Sequence, residues 1–449
     1  MPEKKAVILD GAGPGDGDLV PVLNVLSHVL EAGGAQVETF ALRDMKLAHC
    51  LGCFDCWLKT PGVCVEADAG REIAKAIVRS DVTVFFTPVT FGGYSPELKK
   101  MVDRFVPIAS PFFRMEHGEV HHPPRYAHLP RLMVVGVERH PNPHEAHIFK
   151  TLAGRNAINL HPPSYAAEVV LATDDADALR ARFESLLTRS DALPFGDAAA
   201  SLMPAPVMPA TAIEPAGARR ALLIVGSPET KDPSTSGVLG GYLLDRLKER
   251  GWGTESLTLR ASLNRAEGER ELLSSVDHAG LILLAFPLYV DALPYLVTKA
   301  LALMAAHRQA DREPSVQRLV GIVNSGFPET RQNAVALVIC REFAAQSGFT
   351  WAGGLALGGG GVIGGQPLTG AKRSGPTIQF VTAALDMTAA ALAEGLPVPA
   401  EAVTTMARNR IPFALWRWLY AWMGGKGFEK LAAKNGIGKD QLRAQPYAA

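Results

Sequence analysis

V-T-V-F-F-T-P-V-T-F-G-G-Y-S-P-E-L-K, residues Val82–Lys99, returns in other letters as L-I-L-L-A-F-P-L-Y-V-D-A-L-P-Y-L-V-T-K at Leu281–Lys299. Each copy opens on a short apolar run with the length of a buried strand. Each then turns at a proline beside an aromatic residue, meets a second proline and runs on as a helix to a lysine. A strand leading through a turn into a helix is half of a right-handed βαβ crossover, which implies a parallel sheet covered by helices. Finding the pattern once in each half of the chain predicts two diverged copies of one unit.

Outward from these stretches the same alternation holds. In the first half, strands are predicted at Ala6–Leu9, Gln36–Leu42, Val82–Phe86, Leu132–Val137 and Ala166–Leu171, with helices over Leu19–Leu30, Gly70–Arg79, Pro96–Phe105 and His144–Ile158. In the second, strands are predicted at Arg219–Gly226, Glu255–Leu259, Leu281–Ala285, Leu319–Val323 and Trp351–Leu357. The fold class is α/β, with two doubly wound five-stranded parallel sheets in tandem and a C-terminal helical extension. The expected divisions are residues 1–189, an Ala/Pro-rich linker at 190–218, a second domain at 219–398 and an aromatic-rich tail at 399–449.

The 449 residues exceed what one core comfortably holds. Lys+Arg and Asp+Glu balance at 45 each, which argues against nucleic acid as a partner. The start, Met1-Pro-Glu-Lys-Lys, leads straight into the first strand, leaving no room for a signal peptide, and no stretch has membrane-spanning length. The expected location is the cytoplasm, whose reducing conditions suit clustered cysteines.

An open parallel sheet binds ligands at the carboxyl ends of its strands, where the strand order reverses. In the second half, Gly226-Ser-Pro…Ser234-Thr235-Ser236 joins the first strand to its helix, so Ser227, Ser234, Thr235 and Ser236 offer hydroxyls and backbone N–H groups to a phosphate. The same residues suit an ordinary helix cap. Pro287, Leu288, Tyr289 and Val290 would wall this crevice, with Tyr289 a face for stacking. Asn324, Gly326 and Phe327 follow the next strand, and Gly358–Gly361 permits close backbone approach. In the first half, Gly11–Asp18 lacks Ser and Thr and carries Asp16 and Asp18, which would repel a phosphate. Its third-strand loop is nonetheless well furnished, with Thr87, Pro88, Thr90, Phe91, Gly92 and Tyr94. This half is expected to be a weak flavin site or one that has lost phosphate binding.

Four of the five cysteines fall in one short run, H-C-L-G-C-F-D-C-W-L-K-T-P-G-V-C-V at His49–Val65. Cys50, Cys53, Cys56 and Cys64 are spaced to ligate an iron–sulfur cluster in one loop, with zinc further behind. The C-x-x-C pairs also suit a redox disulfide, and a buried turn around Trp57 without metal stays open.

On these residues the halves resemble flavodoxin-like domains of the NAD(P)H-dependent FMN reductase superfamily, and the first half is similar to its iron–sulfur flavoproteins. The resemblance rests on the Gly226–Ser236 loop, Pro287–Tyr289, Pro88–Ser95 with Leu98-Lys99 and Asp103-Arg104, and the cysteine run. It implies FMN as cofactor, NAD(P)H as hydride donor and, where the cysteines are occupied, a [4Fe-4S] cluster. It also implies a dimer-like arrangement within one chain, and leaves open association into a homo-oligomer. The expected function is an FMN-dependent oxidoreductase that reduces a quinone, a flavin, another small molecule or a redox partner. The alternatives are an FMN/iron–sulfur electron carrier and a non-catalytic scaffold.

Three other features were weighed as sites. Glu119, His121, His122, Arg125 and Tyr126 form a polar patch, read chiefly as loop residues. Asp103 and Arg104 suggest an ion pair or hydrogen bonds close to each other. Arg408–Phe428, with three of the six tryptophans, reads first as a helix capping a domain or a dimer partner, and second as a peripheral contact with a membrane surface.

Overall fold

The computed structural model describes residues 4–195, 219–229, 233–310, 316–369, 375–408 and 414–448. The chain divides into two compact units, Met1–Gly196 with Phe413–Ala449, and Asp197–Pro412.

The first unit contains β1 (Lys4–Asp10), β2 (Ala35–Ala41), β3 (Val82–Pro88), the hairpin β4 (Arg114–Glu116) and β5 (Glu119–His121), β6 (Arg131–Glu138) and β7 (Tyr165–Leu171). Its main sheet runs β2-β1-β3-β6-β7, every neighbouring pair parallel. The order reverses between β1 and β3, and the site loops leave the sheet there. The central strands are buried from end to end because helices cover both faces, which is why they read as unbroken apolar runs. Leu19, Val22, Leu26, Phe86, Val135 and Phe183 belong to one of the packed layers.

The second unit repeats the plan with β8 (Arg220–Val225), β9 (Gly253–Thr258), β10 (Leu281–Pro287), β11 (Arg318–Asn324) and β12 (Thr350–Leu357), in the order β12-β11-β10-β8-β9 and again all parallel. Both sheets are therefore flavodoxin-like. The strands predicted from apolar runs are all present, with ends shifted by a few residues. The β4–β5 hairpin and the helices Ala176–Thr188, Ala266–Asp277 and Pro376–Ala393 were not anticipated. Among these, Ala176–Thr188 and Ala266–Asp277 are largely polar and bury only a narrow apolar stripe.

Residues 196–218 of the expected linker lie outside the described residues. Within 190–195 the chain is packed on the first unit: Ala192 O accepts from the Tyr165 hydroxyl at 2.7 Å, and Asp191 Oδ2 accepts from Ala167 N at 2.8 Å. Residues 399–449 do not act as one tail. Ala402 and Met406, on the helix Ala400–Met406, join the core of the second unit. The helix Ala414–Ala433 and the strand-free end of the chain belong to the first. Among the described residues, no helix is long and apolar enough to cross a membrane.

Candidate functional site

The duplicated stretch ends in the same turn in both units. Thr90 and Gly93 exchange backbone hydrogen bonds at 3.0 and 2.8 Å across Phe91 and Gly92, whose φ angles are 55° and 79°. Tyr289 and Ala292 do the same at 3.0 and 3.1 Å across Val290 and Asp291, with φ 47° and 57°. Two successive positive-φ residues make a two-residue hairpin turn, normally built on Asn or Gly. A β-branched valine held there is strained, and strain of this kind persists only where surrounding structure enforces it.

The two turns differ in what covers them. In the first unit Gly92 N donates to Glu145 Oε1 at 2.9 Å, and a methyl group on Gly92 would sit 2.6 Å from Ile148 Cβ, so the helix Pro143–Leu160 closes over the turn. Thr87 is buried: its hydroxyl donates to Pro88 O and accepts from Ser95 N, both at 3.0 Å. Pro88, Phe91 and Gly92 are buried too, and Tyr94 packs edge-on against Phe85 and Phe149, which leaves Thr90 as the half-exposed member of that set. In the second unit Pro287, Leu288, Tyr289 and Val290 are all half-exposed.

The loops after the first strand differ in the same direction. In the first unit Asp16 Oδ2 accepts from Gly13 N at 2.7 Å, and Asp10 Oδ1 accepts from Ala12 N at 3.0 Å. Carboxylates thus take amides of the kind a phosphate would use. Arg139 balances Asp16 and Asp18 at 2.7 and 2.8 Å, and holds the Asp18 carboxyl below its ordinary range chiefly by hydrogen bonding. A cleft of about 220 Å³ beside this loop is lined by Asp10, Asp16 and Arg43 among others.

In the second unit Ser234 is the N-cap of the helix Thr235–Lys248, its Oγ accepting from Gly237 N at 3.1 Å. The cap leaves the first-turn N–H groups of Thr235 and Ser236 without intrahelical partners, at the positive end of the helix dipole. Ser227 is buried and accepts from Glu229 N at 3.4 Å. Ser236 is buried, donating to Asn324 Oδ1 at 2.7 Å, and Thr235 Oγ1 lies 3.4 Å from Gly360 O. Gly326 is exposed and Phe327 half-exposed, with Phe327 O accepting from Gly359 N at 2.7 Å. The loops after β8, β11 and β12 are therefore laced together at one sheet edge. Gly226 is required at its corner, because a methyl group there would run into Val297.

The cysteine loop belongs to the first unit. Trp57 anchors it: the indole is buried, its Nε1 donates to Val106 O at 2.9 Å, and Phe54 stacks on it at 5.2 Å. All four cysteines are free thiols, with Cys53 exposed and Cys56 buried. Burial pushes the Cys50 thiol up to about 12, opposed by a hydrogen bond from Gly52 N–H, and the charges of Cys53 and Cys64 push the same way. Cys56 is raised by burial and then by the other three cysteines, so the four lie within electrostatic reach of one another. Gly52 and Phe54 both have positive φ, and Gly52 N–H reaches the Cys50 sulfur.

Two arginines flank the thiols. Arg104 makes a bidentate pair with Asp68 at 2.8 Å on both arms, yet its buried Nε has no hydrogen-bond partner. Arg125 donates to Pro107 O, Leu442 O and Ala444 O, yet its buried Nη2 has none either. Cys64 and Cys50 act on Arg104, and Cys56 on Arg125. Buried positive charge around four thiols is the environment that an anionic, thiolate-ligated cluster needs. Among the described residues no group of three or more His, Cys, Asp and Glu is placed to hold a metal ion.

The C-terminus completes this wall. Tyr447 N donates to the Tyr126 hydroxyl at 3.2 Å, Gln445 donates to Arg125 O at 2.6 Å, and Arg79 donates to Tyr447 O at 3.1 Å. Pro446 lies against Gly62, where a methyl group would come within 2.7 Å of it. Gly62 sits between Cys56 and Cys64 in sequence. Nothing in residues 442–448 signals this role, since docking here depends on backbone carbonyls.

The remaining sequence candidates are structural. Glu119 and His121 are fully buried, paired at 3.0 Å and held by Arg155 at 2.7 Å and Asn159 at 3.0 Å. Burial pulls His122 down to about 4, and its Nδ1 lies 2.9 Å from Phe112 O. Asp103 and Arg104 do not pair with each other: Asp103 takes Lys99, and Arg104 takes Asp68.

Residues 21–169 match the sequence model of the NADPH-dependent FMN reductase family. An iron–sulfur flavoprotein of Methanocaldococcus jannaschii is 30% identical over 104 residues, covering 23% of this chain and 53% of that protein. One from Archaeoglobus fulgidus is 29% identical over 103 residues, covering 23% and 46%. The chain thus matches about half the length of these relatives. Among solved structures, it is similar to the NAD(P)H:quinone oxidoreductase from Methanothermobacter marburgensis (13% identity, 42% of this chain, 100% of that one, TM-score 0.33). It is also similar to an FMN-dependent NADH-azoreductase from Bacillus anthracis in complex with FMN (14%, 39%, 99%, TM-score 0.28). Over residues 21–169 the first unit is thus similar to the NADPH-dependent FMN reductase family, and part of it to iron–sulfur flavoproteins.

Proposed function

We propose that the chain is an FMN-dependent oxidoreductase whose flavin sits in the second unit, while the first unit carries a redox cluster on its four cysteines. The observation that carries the flavin assignment is the contrast between the two switch points. In the second unit Pro287–Val290 stays half-exposed beside a helix N-terminus capped by Ser234; in the first, Asp16 takes the Gly13 amide of the loop and a helix covers the turn. The first-turn amides of Thr235 and Ser236 would hold the phosphate. Pro287–Val290 and the Asn324–Phe327 loop would bracket the ring, joined where Leu288 N donates to Asn324 O at 2.8 Å, and the Ser236–Asn324 hydrogen bond ties the helix's first turn to them. FMN, when bound, supplies acceptance of hydride from NAD(P)H and its return to an acceptor. The chain's own part is anchoring, stacking and backbone donors.

Cys50, Cys53, Cys56 and Cys64 would hold the cluster, with Arg104 and Arg125 balancing its charge. A second reading, electron transfer between flavin and cluster without a small-molecule acceptor, is favoured by those two buried arginines. Four cysteines clustered in one loop suit a reducing compartment such as the cytoplasm.

The test is an absorption spectrum of anaerobically purified protein with flavin and iron counted per chain. A flavin that disappears in Gly226→Val and persists in Asp16→Ala supports the assignment; the reverse overturns it. Cys50→Ser with Cys53→Ser should leave NAD(P)H oxidation intact in a flavin enzyme and abolish delivery of electrons in a carrier. Protein that stays colourless after FMN and iron are supplied defeats both readings and leaves a scaffold.

A further inference from the structure

The helix Ala414–Ala433 is docked on the first unit by one face. Phe428 packs against Trp57 with ring centroids 5.2 Å apart, Tyr420 stacks on Phe113 at 6.1 Å, and Arg417 donates to Gly118 O at 2.9 Å. Gly424 lies so close to Phe113 that a methyl group could not be added. This face accounts for half of the helix.

The opposite face is apolar where a docked helix would be polar. Trp418 is 65% exposed, Trp422 63%, Met423 53% and Leu419 38%. Their spacing of i, i+1, i+4 and i+5 makes them neighbours on one side of the helix. The same stripe continues through the exposed residues Lys426 and Lys430, and the exposed Lys434 follows just past the end of the helix. From Ala414 to Ala448 there are six Lys and Arg residues against two acidic ones, Glu429 and Asp440. Glu429 is already engaged by Lys426 at 2.9 Å and Lys439 at 3.4 Å. Two tryptophans and two aliphatic side chains facing outward, followed along the helix by lysines, match an interfacial helix that lies in the plane of a bilayer.

We propose that the outer face of Ala414–Ala433, with Lys434 just beyond its end, docks the protein on an anionic lipid surface, with Trp418, Leu419, Trp422 and Met423 entering the headgroup boundary and Lys430 and Lys434 meeting lipid phosphates. The charge of the segment selects this occupant: an apolar self-interface would place lysines against their own copies, and like charges oppose that. The contact is peripheral, because the inner half of the helix is committed to the protein. It does not depend on the flavin assignment.

The full chain is tested by flotation with vesicles of phosphatidylcholine and phosphatidylglycerol in equal parts, and with phosphatidylcholine alone. Flotation with the mixed vesicles, weakened by salt, is expected. Trp418→Ser with Trp422→Ser should lower partitioning roughly tenfold or more, and Lys430→Glu with Lys434→Glu should abolish the preference for anionic lipid. Both tryptophans are exposed, so circular dichroism should be unchanged. In the unsubstituted chain, brominated lipid should quench tryptophan fluorescence, which keeps the test independent of any variant. The proposal is overturned by failure to float with mixed vesicles, by equal flotation of the tryptophan variant, or by a dimer in sedimentation that this variant dissociates while vesicles bind nothing.

Discussion

Ser236 Oγ donates to Asn324 Oδ1 at 2.7 Å, tying the loop after the first strand of the second unit to the loop after its fourth. Both residues are buried, so the bond is shielded from water and its loss leaves a buried acceptor unpaired. Ser236→Ala is expected to cost about 1–3 kcal/mol in urea unfolding. If the spacing of these loops sets the flavin site, FMN should also bind more weakly by fluorescence titration; unchanged affinity would separate the bond from the site.

Asp16 occupies the Gly13 amide in the first unit, one of the kind a phosphate would use. Replacing it with alanine removes the carboxylate without adding a competitor. The number of flavins per chain, counted after denaturation, should not change. A rise by one would show that the first unit retains a latent site.

The thiols should differ in reactivity when no metal is bound. Cys53 is exposed, whereas Cys50 is pushed up to about 12 by burial and Cys56 is raised for the same reason. Since the thiolate is the nucleophile, iodoacetamide near neutral pH should modify Cys53 first, as read by peptide mass spectrometry. After reconstitution with iron and sulfide, Cys53 should become protected.

Arg125 holds the chain's end, through Leu442 O at 2.9 Å and Ala444 O at 2.8 Å, beside Cys56. Arg125→Ala should free residues 442–448 to faster hydrogen exchange and hasten loss of iron to a chelator. Truncation after Gly438 should reproduce the iron loss. Unaltered chelation kinetics in both would remove the tail from the wall of the site.

Glu168 sets an acid limit on the first unit. Burial opposes its charged form, but hydrogen bonds from Arg189 at 2.9 Å and Lys150 at 3.0 Å prevail and pull the carboxyl down to about 2. Its folded-state pKa is depressed, so the stability it confers is present above its unfolded value of about 4.3 and is lost as pH falls toward 2. Urea midpoints should decline across that window, and the decline should flatten in Glu168→Gln.

The duplicated strands were legible because a strand buried on both faces must be apolar throughout, and Leu132–Val137 or Leu281–Ala285 admits few other readings. The turn at Val290 was not, since a valine with positive φ violates local preference and is imposed by the structure around it. The serines of the second loop were found by type, but only the fold shows Ser234 as a cap and Ser236 as a bridge to Asn324. Arg104 and Arg125 were noticed as residues and missed as neighbours of the thiols.

The amino-acid order alone set the two five-stranded sheets, their crossover plan and the clustering of four cysteines in one loop, because these depend on periodicity and local spacing. Which turn a helix covers, which amide Asp16 takes, and the closing of the cysteine loop by residues some 320 positions away from Arg125 in the chain were decided by tertiary structure. Those outcomes rest on side chains and carbonyls that meet only once the sheets have formed, and no local pattern encodes such meetings.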